Sequence, residues 1–249
     1  MLDLWLIGIG TGNPDHVTFE AAQAIRDADL ILVPRKGRKK ADLADIRHQI
    51  IAKVASDALP RVVEFDLPVR DASGAYLEGV NDWHDAIALV WAQTIHDNLG
   101  DGQKVALLVW GDPSLYDSTL RIAGRLDPKP NLRVVAGVTS LQMLTAAFAI
   151  PINRIGVPFT VTTGRNLREN GWPSDADTIA VMLDGECSFQ CLDGANYDIW
   201  WGAYVGMPEQ LLISGKLGEV SDMILSTRAK ARDSHGWIMD IYVLRKHLA

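Results

Sequence analysis

The chain has 249 residues, of which 48% are hydrophobic and 22% are charged, as is ordinary for a folded globular protein. Its formal net charge of −7 argues against a protein that holds nucleic acid through broad electrostatics. No apolar stretch is long enough to span a bilayer, and the start does not resemble a signal peptide, so we expect a cytoplasmic protein without a membrane partner. Two cysteines, Cys187 and Cys191, are too few for a disulfide scaffold or a metal site, and we expect no metal.

The first half of the chain alternates apolar runs with helical patterns. Strands are predicted at 2–9, 30–33, 62–65 and 105–110 and within NLRVVAG, and helices at 18–27, 42–56, 82–98 and 118–126. Thr18 is expected to cap the first helix, and Pro34 to stop the second strand. Continuous apolar strands that alternate with helices predict a parallel sheet covered on both faces.

The second half has a different pattern. A helix at 141–149 precedes a proline-rich bend, and strands are then predicted at 159–163, 178–183, 199–204, 209–214 and 237–244. Helices are expected to be few and weak here. We therefore predict an α/β protein of two domains: 1–138, with a parallel sheet and a glycine-rich loop, and 139–249, with a mixed sheet.

The segment GIGTGNPDHVT, which follows the first strand, places glycines at alternate positions. Two other loops of small residues, WGDPS and AGVTS, follow the fourth and fifth strands. Ligands of open parallel sheets bind at the carboxyl ends of the strands. The three loops predict a shared crevice in which backbone groups contact the ligand directly.

A dinucleotide site is one alternative for this crevice. Its fingerprint is G-x-G-x-x-G followed directly by a helix, whereas here G-x-G-x-G is followed by NPDHVT. Pro14 also removes a backbone donor from the phosphate site. Arg35 could still bind a 2′-phosphate, so an NADP-binding protein stays open, as does a tight turn that binds nothing.

Five segments, in order, resemble the motifs of the tetrapyrrole methylases. They are GIGTGNPDHVT, VALLVWGDPSLYDS, VVAGVTSLQMLTAAFAIPI, TIAVMLDG and GMPEQLLISGKLGEV, and they cover nearly the whole chain. The resemblance implies an S-adenosylmethionine-dependent enzyme, usually a homodimer, with its cofactor in a cleft between two domains. VPRKGRKKADL and HGWIMDIYVLRKHL are most similar to members that methylate C1 of a precorrin and release acetate in aerobic cobalamin biosynthesis. Methylation of another precorrin carbon, of ribosomal RNA or of diphthine is the alternative within the family.

The resemblance also implies which residues contact the cofactor. Carried over motif by motif, they are Thr11, Trp110, Gly111, Asp112, Leu115, Thr139, Ser140, Leu183, Val205 and Gly206. Asp112 has an equally good structural interpretation, because an aspartate before proline often only organises its turn.

Acetate release requires a general base or an oxyanion donor near the ring. His16, Asp15 and Tyr116 are the candidates, and His16 is preferred because the pKa of histidine lies near neutrality. A histidine at a helix entry can also be an ordinary surface residue.

Basic residues are candidates for binding the carboxylates of a precorrin. We select Arg35, Lys36, Arg38 and Arg165. The first three belong to PRKGRKK, which could equally be a solvated loop rather than a patch that steers anions.

Overall fold

The computed structural model describes residues 1–35, 41–55, 59–70 and 76–247. The chain divides into two compact units, Met1–Thr139 and Ser140–Ala249. Within the described residues, ten strands form two five-stranded sheets, one in each unit. No helix in that part of the chain is both long and apolar enough to cross a membrane.

The first unit is a parallel sheet with a helix after most of its strands. Its elements are β1 (Asp3–Gly8), α1 (Phe19–Asp27), β2 (Leu30–Arg35), α2 (Ala41–Val54), β3 (Arg61–Asp66), α3 (Tyr76–Asn98), β4 (Lys104–Val109), α4 (Thr119–Ala123) and β5 (Asn131–Val135). The strand order is β3-β2-β4-β1-β5, and every pair is parallel. The parallel α/β sheet predicted from the continuous apolar strands is confirmed.

Both faces of this sheet are buried, which explains why its strands are apolar throughout. On β1, Ile7 packs with the buried side chains of α1 and α2. Leu4 and Leu6 point to the other face and pack with those of α3 and α4. Since successive side chains of a strand alternate between faces, a strand covered on both sides needs apolar residues at every position.

The second strand runs further than the sequence predicted. Pro34 does not stop it, because β2 pairs with β3 as far as Arg35 and Asp66. On its other side, β2 pairs with β4 only over its first three residues. Proline lacks an N–H and is tolerated where a strand has a neighbour on one side only. The predicted cap of α1 is confirmed, since Thr18 Oγ1 accepts a hydrogen bond from the Ala21 N–H at 3.0 Å.

The second unit is a mixed sheet. Its elements are α5 (Ser140–Ala147), β6 (Thr160–Thr163), α6 (Gly164–Asn170), β7 (Thr178–Met182), β8 (Tyr197–Ala203), β9 (Leu211–Lys216), α7 (Leu217–His235) and β10 (Asp240–Lys246). The strand order is β6-β7-β10-β8-β9, in which only β6 and β7 pair in parallel. The predicted mixed sheet is confirmed.

The expectation of weak helices in this half is wrong for α7, which has 19 residues. Its buried positions are Leu217, Val220, Ile224, Arg228 and Ala231, spaced as one helical stripe. Because an arginine lies in the middle of that stripe, the apolar periodicity of the sequence does not indicate this helix. Arg228 can lie there because it forms an ion pair with Asp240 of β10 at 2.8 Å.

Candidate functional site

Three glycines bring the ends of β1, β4 and β5 into backbone contact in the first unit. A Cβ atom added to Gly137 would lie 2.0 Å from the carbonyl oxygen of Gly111 and 2.8 Å from Cα of Gly8. A Cβ on Gly8 would lie 2.6 Å from the Gly137 nitrogen. Only residues without side chains permit this approach. We call Gly8, Gly111 and Gly137 the glycine junction.

The loop after β1 is joined to the loop after β4 by a short bridge. The Gly111 N–H donates to the Gly10 carbonyl at 2.7 Å, and the Gly10 N–H donates back at 3.4 Å. Gly10 and Gly111 have φ values of 74° and 62°, in the left-handed region that glycine adopts readily. The two predicted cofactor loops are therefore fixed against each other by their own backbone.

Asp112 links the loop after β4 to the loop after β5. One carboxylate oxygen accepts hydrogen bonds from the N–H and hydroxyl of Ser114, and the other accepts from the Gly137 N–H at 2.9 Å. Burial by itself would raise the pKa of the Asp112 carboxyl, but these hydrogen bonds outweigh it and lower the pKa. Asp112 thus has the organising role that the aspartate–proline pair suggested.

Thr11 and His16 form a pair beside the glycine junction. The Thr11 hydroxyl lies 3.1 Å from His16 Nδ1, and Thr11 itself is buried. Burial lowers the pKa of the His16 imidazole, although the neighbouring Asp15 opposes the shift. His16 lies in a single 3-10 turn, Pro14–His16, that Asn13 caps by accepting from the Asp15 N–H. The imidazole is consequently neutral at pH 7 and held in place.

The other candidates of this unit lie around the same edge. Asp15 is exposed and forms an ion pair with Lys53 at 2.6 Å, which lowers the pKa of its carboxyl. Tyr116 follows the loop after β4, has a φ of 51° and is 43% exposed. Burial of part of its ring raises the pKa of the phenol, so the phenol keeps its proton at neutral pH. Thr139 is buried at the end of the loop after β5.

Trp110 and Leu115 stand at either end of the loop after β4. Both are partly buried, and the Leu115 N–H donates to the Asp112 carbonyl at 3.2 Å. The guanidinium of Arg47 lies over the Trp110 ring, with Cζ 5.1 Å from the ring centroid. Arg47 was not among the sequence candidates, because an arginine within a predicted helix gives no signal of burial.

The candidates of the second unit share one edge of the mixed sheet. Leu183 follows β7, while Val205 and Gly206 follow β8, and both strands run antiparallel to the β10 that separates them. Their carboxyl ends therefore lie on the same side. Leu183 is 67% exposed at a φ of 53°, which is a strained conformation for leucine. Ser140 begins α5 in this unit.

A buried polar cluster lies behind Leu183. The Asp184 carboxylate accepts hydrogen bonds from the Tyr242 hydroxyl at 2.6 Å and from the Ser188 hydroxyl at 2.7 Å. Arg228 donates to the Asp184 carbonyl at 3.0 Å and also holds Asp240. Burial would raise the pKa of Asp184, but the hydrogen bonds lower it. The sequence did not single out this cluster, whose members lie far apart in the chain.

The basic candidates are spread over the molecule. Arg35 ends β2 and forms ion pairs with Glu64 at 3.5 Å and Asp66 at 3.2 Å. Arg165 is exposed on α6 of the second unit. Lys36 and Arg38 lie outside the described residues. Among described residues, no group of three or more histidine, cysteine or acidic side chains could hold a metal ion.

The glycine junction fits a ligand that is bound mainly by backbone groups. Gly10, Gly12 and Gly111 all have positive φ values, and no side chain projects from them into the loops. Asp112 and Asn13 fix the loop shapes from within. Loops held in this way, without side chains at their glycine positions, suit a nucleoside bound for positioning rather than for reaction with a side chain.

Comparisons with known proteins agree on one family. The model of the Tetrapyrrole (Corrin/Porphyrin) Methylases matches residues 3–221. Precorrin-6A synthase (deacetylating) of Sinorhizobium sp is 45% identical over 251 residues, which cover 99% of this chain and 96% of the relative. A solved cobalamin synthesis related protein, CobF of Corynebacterium diphtheriae, is 36% identical with a TM-score of 0.83, covering 99% of each chain. The Thermus thermophilus uroporphyrin-III C-methyltransferase in complex with S-adenosylhomocysteine shares the fold, with a TM-score of 0.58 at 17% identity and coverage of 98% and 97%.

Proposed function

The chain belongs to the tetrapyrrole methylase family, and we propose that it acts as a precorrin-6A synthase, methylating C1 of precorrin-5 and releasing acetate. The observation that carries this proposal is the 45% identity, over 99% of the chain, to a deacetylating precorrin-6A synthase. Membership of the family makes the protein an S-adenosylmethionine-dependent methyltransferase. The enzyme class and the methyl donor predicted from the five motifs are thereby confirmed.

Methyl transfer from a sulfonium is an in-line displacement in which S-adenosylmethionine supplies both the methyl group and its leaving group. The protein needs to align the acceptor carbon and exclude water, and no protein nucleophile is required. The glycine junction, with Thr11 and Thr139 beside it, provides a rigid backbone site for that task. We assign cofactor binding in the first unit to these loops, and in the second to Leu183, Val205 and Gly206.

Acetate release is assigned to His16. Water attacks the acetyl carbonyl, the bond between this carbon and the macrocycle breaks, and its electron pair stays with the ring, where it neutralises the positive charge left by methyl transfer. A neutral imidazole can take the proton from water if Nδ1 carries hydrogen toward Thr11, which leaves the Nε2 lone pair available. The protonated phenol of Tyr116 is the corresponding donor to the oxyanion. Asp15 raises the basicity of His16.

His16→Ala tests this assignment. Acetate release should fall by about a hundredfold, whereas methyl transfer, followed as S-adenosylhomocysteine formed, should persist. His48→Ala, which changes a half-buried histidine on α2 that pairs with Glu64, is the matched control. Unchanged acetate release in the His16 variant would remove His16 from the mechanism.

Binding of the precorrin carboxylates is assigned to basic side chains. The candidates are Arg35, Lys36, Arg38 and Arg165. Arg35 is already paired with two carboxylates of β3, so binding there requires substrate to replace Glu64 or Asp66. Arg35→Gln and Arg165→Gln should each raise KM for the precorrin without changing the Kd for S-adenosylhomocysteine. Equal weakening of precorrin binding and of S-adenosylhomocysteine binding would indicate misfolding instead.

The direct test of the proposed function incubates the protein with precorrin-5 and S-adenosylmethionine. One methyl group gained and one acetate released per turnover is the expected result. Methylation without acetate would move the protein to another reaction of the family. A first calorimetric titration should show micromolar binding of S-adenosylhomocysteine and none of NADP, the alternative ligand of the glycine-rich loop.

The homodimer and the cytoplasmic location are proposed from the family resemblance and the sequence. Light scattering on the purified protein should give twice the mass of one chain, 27.3 kDa. Cell fractionation should place the protein with other cytoplasmic enzymes.

A further inference from the structure

A cavity of about 250 Å³ lies within the first unit, at the carboxyl ends of β2, β3 and β4. Pro34, Phe65 and Trp110 line it from the strand ends, and Trp83, Ile87 and Trp91 line it from α3. Its wall is thus mostly apolar and aromatic. An apolar cavity of about 150 Å³ holds a benzene molecule, so this one has room for a five-membered ring with a short side chain.

Arg47 is the cation in this wall. It extends from α2, is only 7% exposed, and donates from Nε to the Leu108 carbonyl and from Nη1 to the Leu43 carbonyl, both at 3.0 Å. These bonds use two of its five N–H groups. The same guanidinium lies over the Trp110 ring. Its position is therefore fixed, and these are the two hydrogen bonds that it donates to described residues.

Within the described part of the chain, the charge of Arg47 is not matched by an ion pair. Asp117 lines the same cavity and attracts Arg47 without forming an ion pair with it, while its Oδ1 accepts hydrogen bonds from the N–H and hydroxyl of Thr119. Burial lowers the pKa of Arg47 to about 10, as expected of a cation that is desolvated without full compensation.

Trp91 places a second donor in the wall of this cavity. The indole N–H of Trp91 is buried and has no hydrogen-bond partner within the described part of the chain. Buried polar groups in native proteins are nearly always paired, and a cation buried without an anion is costly. The Arg47 guanidinium and the Trp91 indole N–H are hydrogen-bond donors in the wall of one apolar cavity. Such a wall suits a ligand with an apolar ring and an anionic arm.

We propose that this cavity binds one pyrrole ring of the tetrapyrrole substrate, with a carboxylate side chain of that ring paired to Arg47. The inference rests on the proposed function and adds to it a residue and a subsite. Trp110 directly precedes Gly111 of the glycine junction, so a ring held against Trp110 lies next to the loop that is assigned to the methyl donor. Arg47 would then fix the orientation of the macrocycle.

The test uses a single-ring probe, pyrrole-3-propionate, and its carboxamide as an uncharged control. Titrations are followed by tryptophan fluorescence, since three tryptophans line the cavity. The acid should bind at least tenfold more tightly than the amide, because hydrogen bonds to charged groups are the stronger ones. Equal binding of both, or no binding of the acid at 10 mM, would overturn the proposal.

Arg47→Gln should weaken binding of the acid by tenfold or more and leave binding of the amide unchanged. Arg26→Gln is the matched control, because Arg26 also donates to a backbone carbonyl, that of Val54, but is exposed.

If Arg47→Gln perturbs the fold, Ile87→Phe fills the cavity without changing the arginine. Leu89→Phe, on the same helix but 73% exposed, controls for it. Binding retained in a folded Ile87→Phe protein would show that the probe binds elsewhere.

Titration with S-adenosylhomocysteine distinguishes failure of the subsite from failure of the proposed function. If it binds to all four variants while the acid binds only to the wild type and the two controls, both the function and the subsite are supported. If S-adenosylhomocysteine binds and the acid does not, the subsite fails alone. If S-adenosylhomocysteine does not bind to the wild type, the proposed function itself fails.

Discussion

The two units use different means to shape the sheet edges that carry their candidate site residues. In the first unit, the edge is built by backbone contacts between glycines, with a single carboxylate, Asp112, across two loops. In the second, it is built by buried side chains around Asp184, Arg228 and Asp240. A backbone junction is sensitive to added volume, whereas a side-chain cluster is sensitive to lost charge.

The largest effect should come from breaking the buried pair of the second unit. Asp240→Asn leaves Arg228 without its anion, where the side chains are 11% and 8% exposed, and should cost about 3–5 kcal/mol of unfolding free energy. Glu219→Gln, which breaks an exposed pair with Lys216, should cost less than about 1 kcal/mol. Urea denaturation measures both, and equal costs would contradict the importance of burial here.

In the first unit, adding one methyl group should be almost as harmful. Gly137→Ala places a Cβ 2.0 Å from the Gly111 carbonyl oxygen and should cost about 3 kcal/mol, with S-adenosylhomocysteine binding lost. Gly185→Ala is the control, because no atom lies within 4 Å of its added Cβ. Melting temperature and calorimetry measure the two effects. Normal binding by the Gly137 variant would show that the loops can separate without loss of the site.

Acidification should lower the stability that carboxylates contribute at both sheet edges. The pKa values of Asp112 and Asp184 are lowered in the folded state, so their stabilisation is complete above the unfolded pKa of about 4. It is lost as the pH falls through the folded values. Asp112→Asn and Asp184→Asn should each flatten the decline of stability as the pH falls below about 4. A slope unchanged from the wild type would exclude that carboxyl as a source of acid sensitivity.

The smallest effect concerns strain at the second edge. Leu183 is exposed at a φ of 53°, a conformation that asparagine tolerates better. Leu183→Asn should therefore raise the free energy of unfolding by up to about 1 kcal/mol and weaken binding of S-adenosylhomocysteine. Leu89→Asn, at an exposed helical leucine, should lower stability by a similar amount. A loss of stability in the Leu183 variant would mean that its side chain supports the fold.

Prediction from the sequence was most successful where a single element carries its own signal. The apolar strands of the first sheet and the Thr18 cap depend on side chains that are close in sequence, and both were predicted. Helix α7 was missed because Arg228 interrupts its stripe, and only its distant partner Asp240 makes that arginine acceptable in the interior. Pro34 was misjudged because the missing neighbour of β2 on one side cannot be read from the strand itself.

The sequence by itself determined the fold class, the family and the loops of small residues, because these are encoded in local periodicity and in motifs of adjacent residues. Only the tertiary structure decided which groups compensate one another. Gly8 and Gly137 meet although 128 residues separate them, and Arg47 lies buried in an aromatic cavity where no described carboxylate forms an ion pair with it. Burial and charge compensation depend on neighbours brought from distant parts of the chain, and that information exists only once the chain is folded.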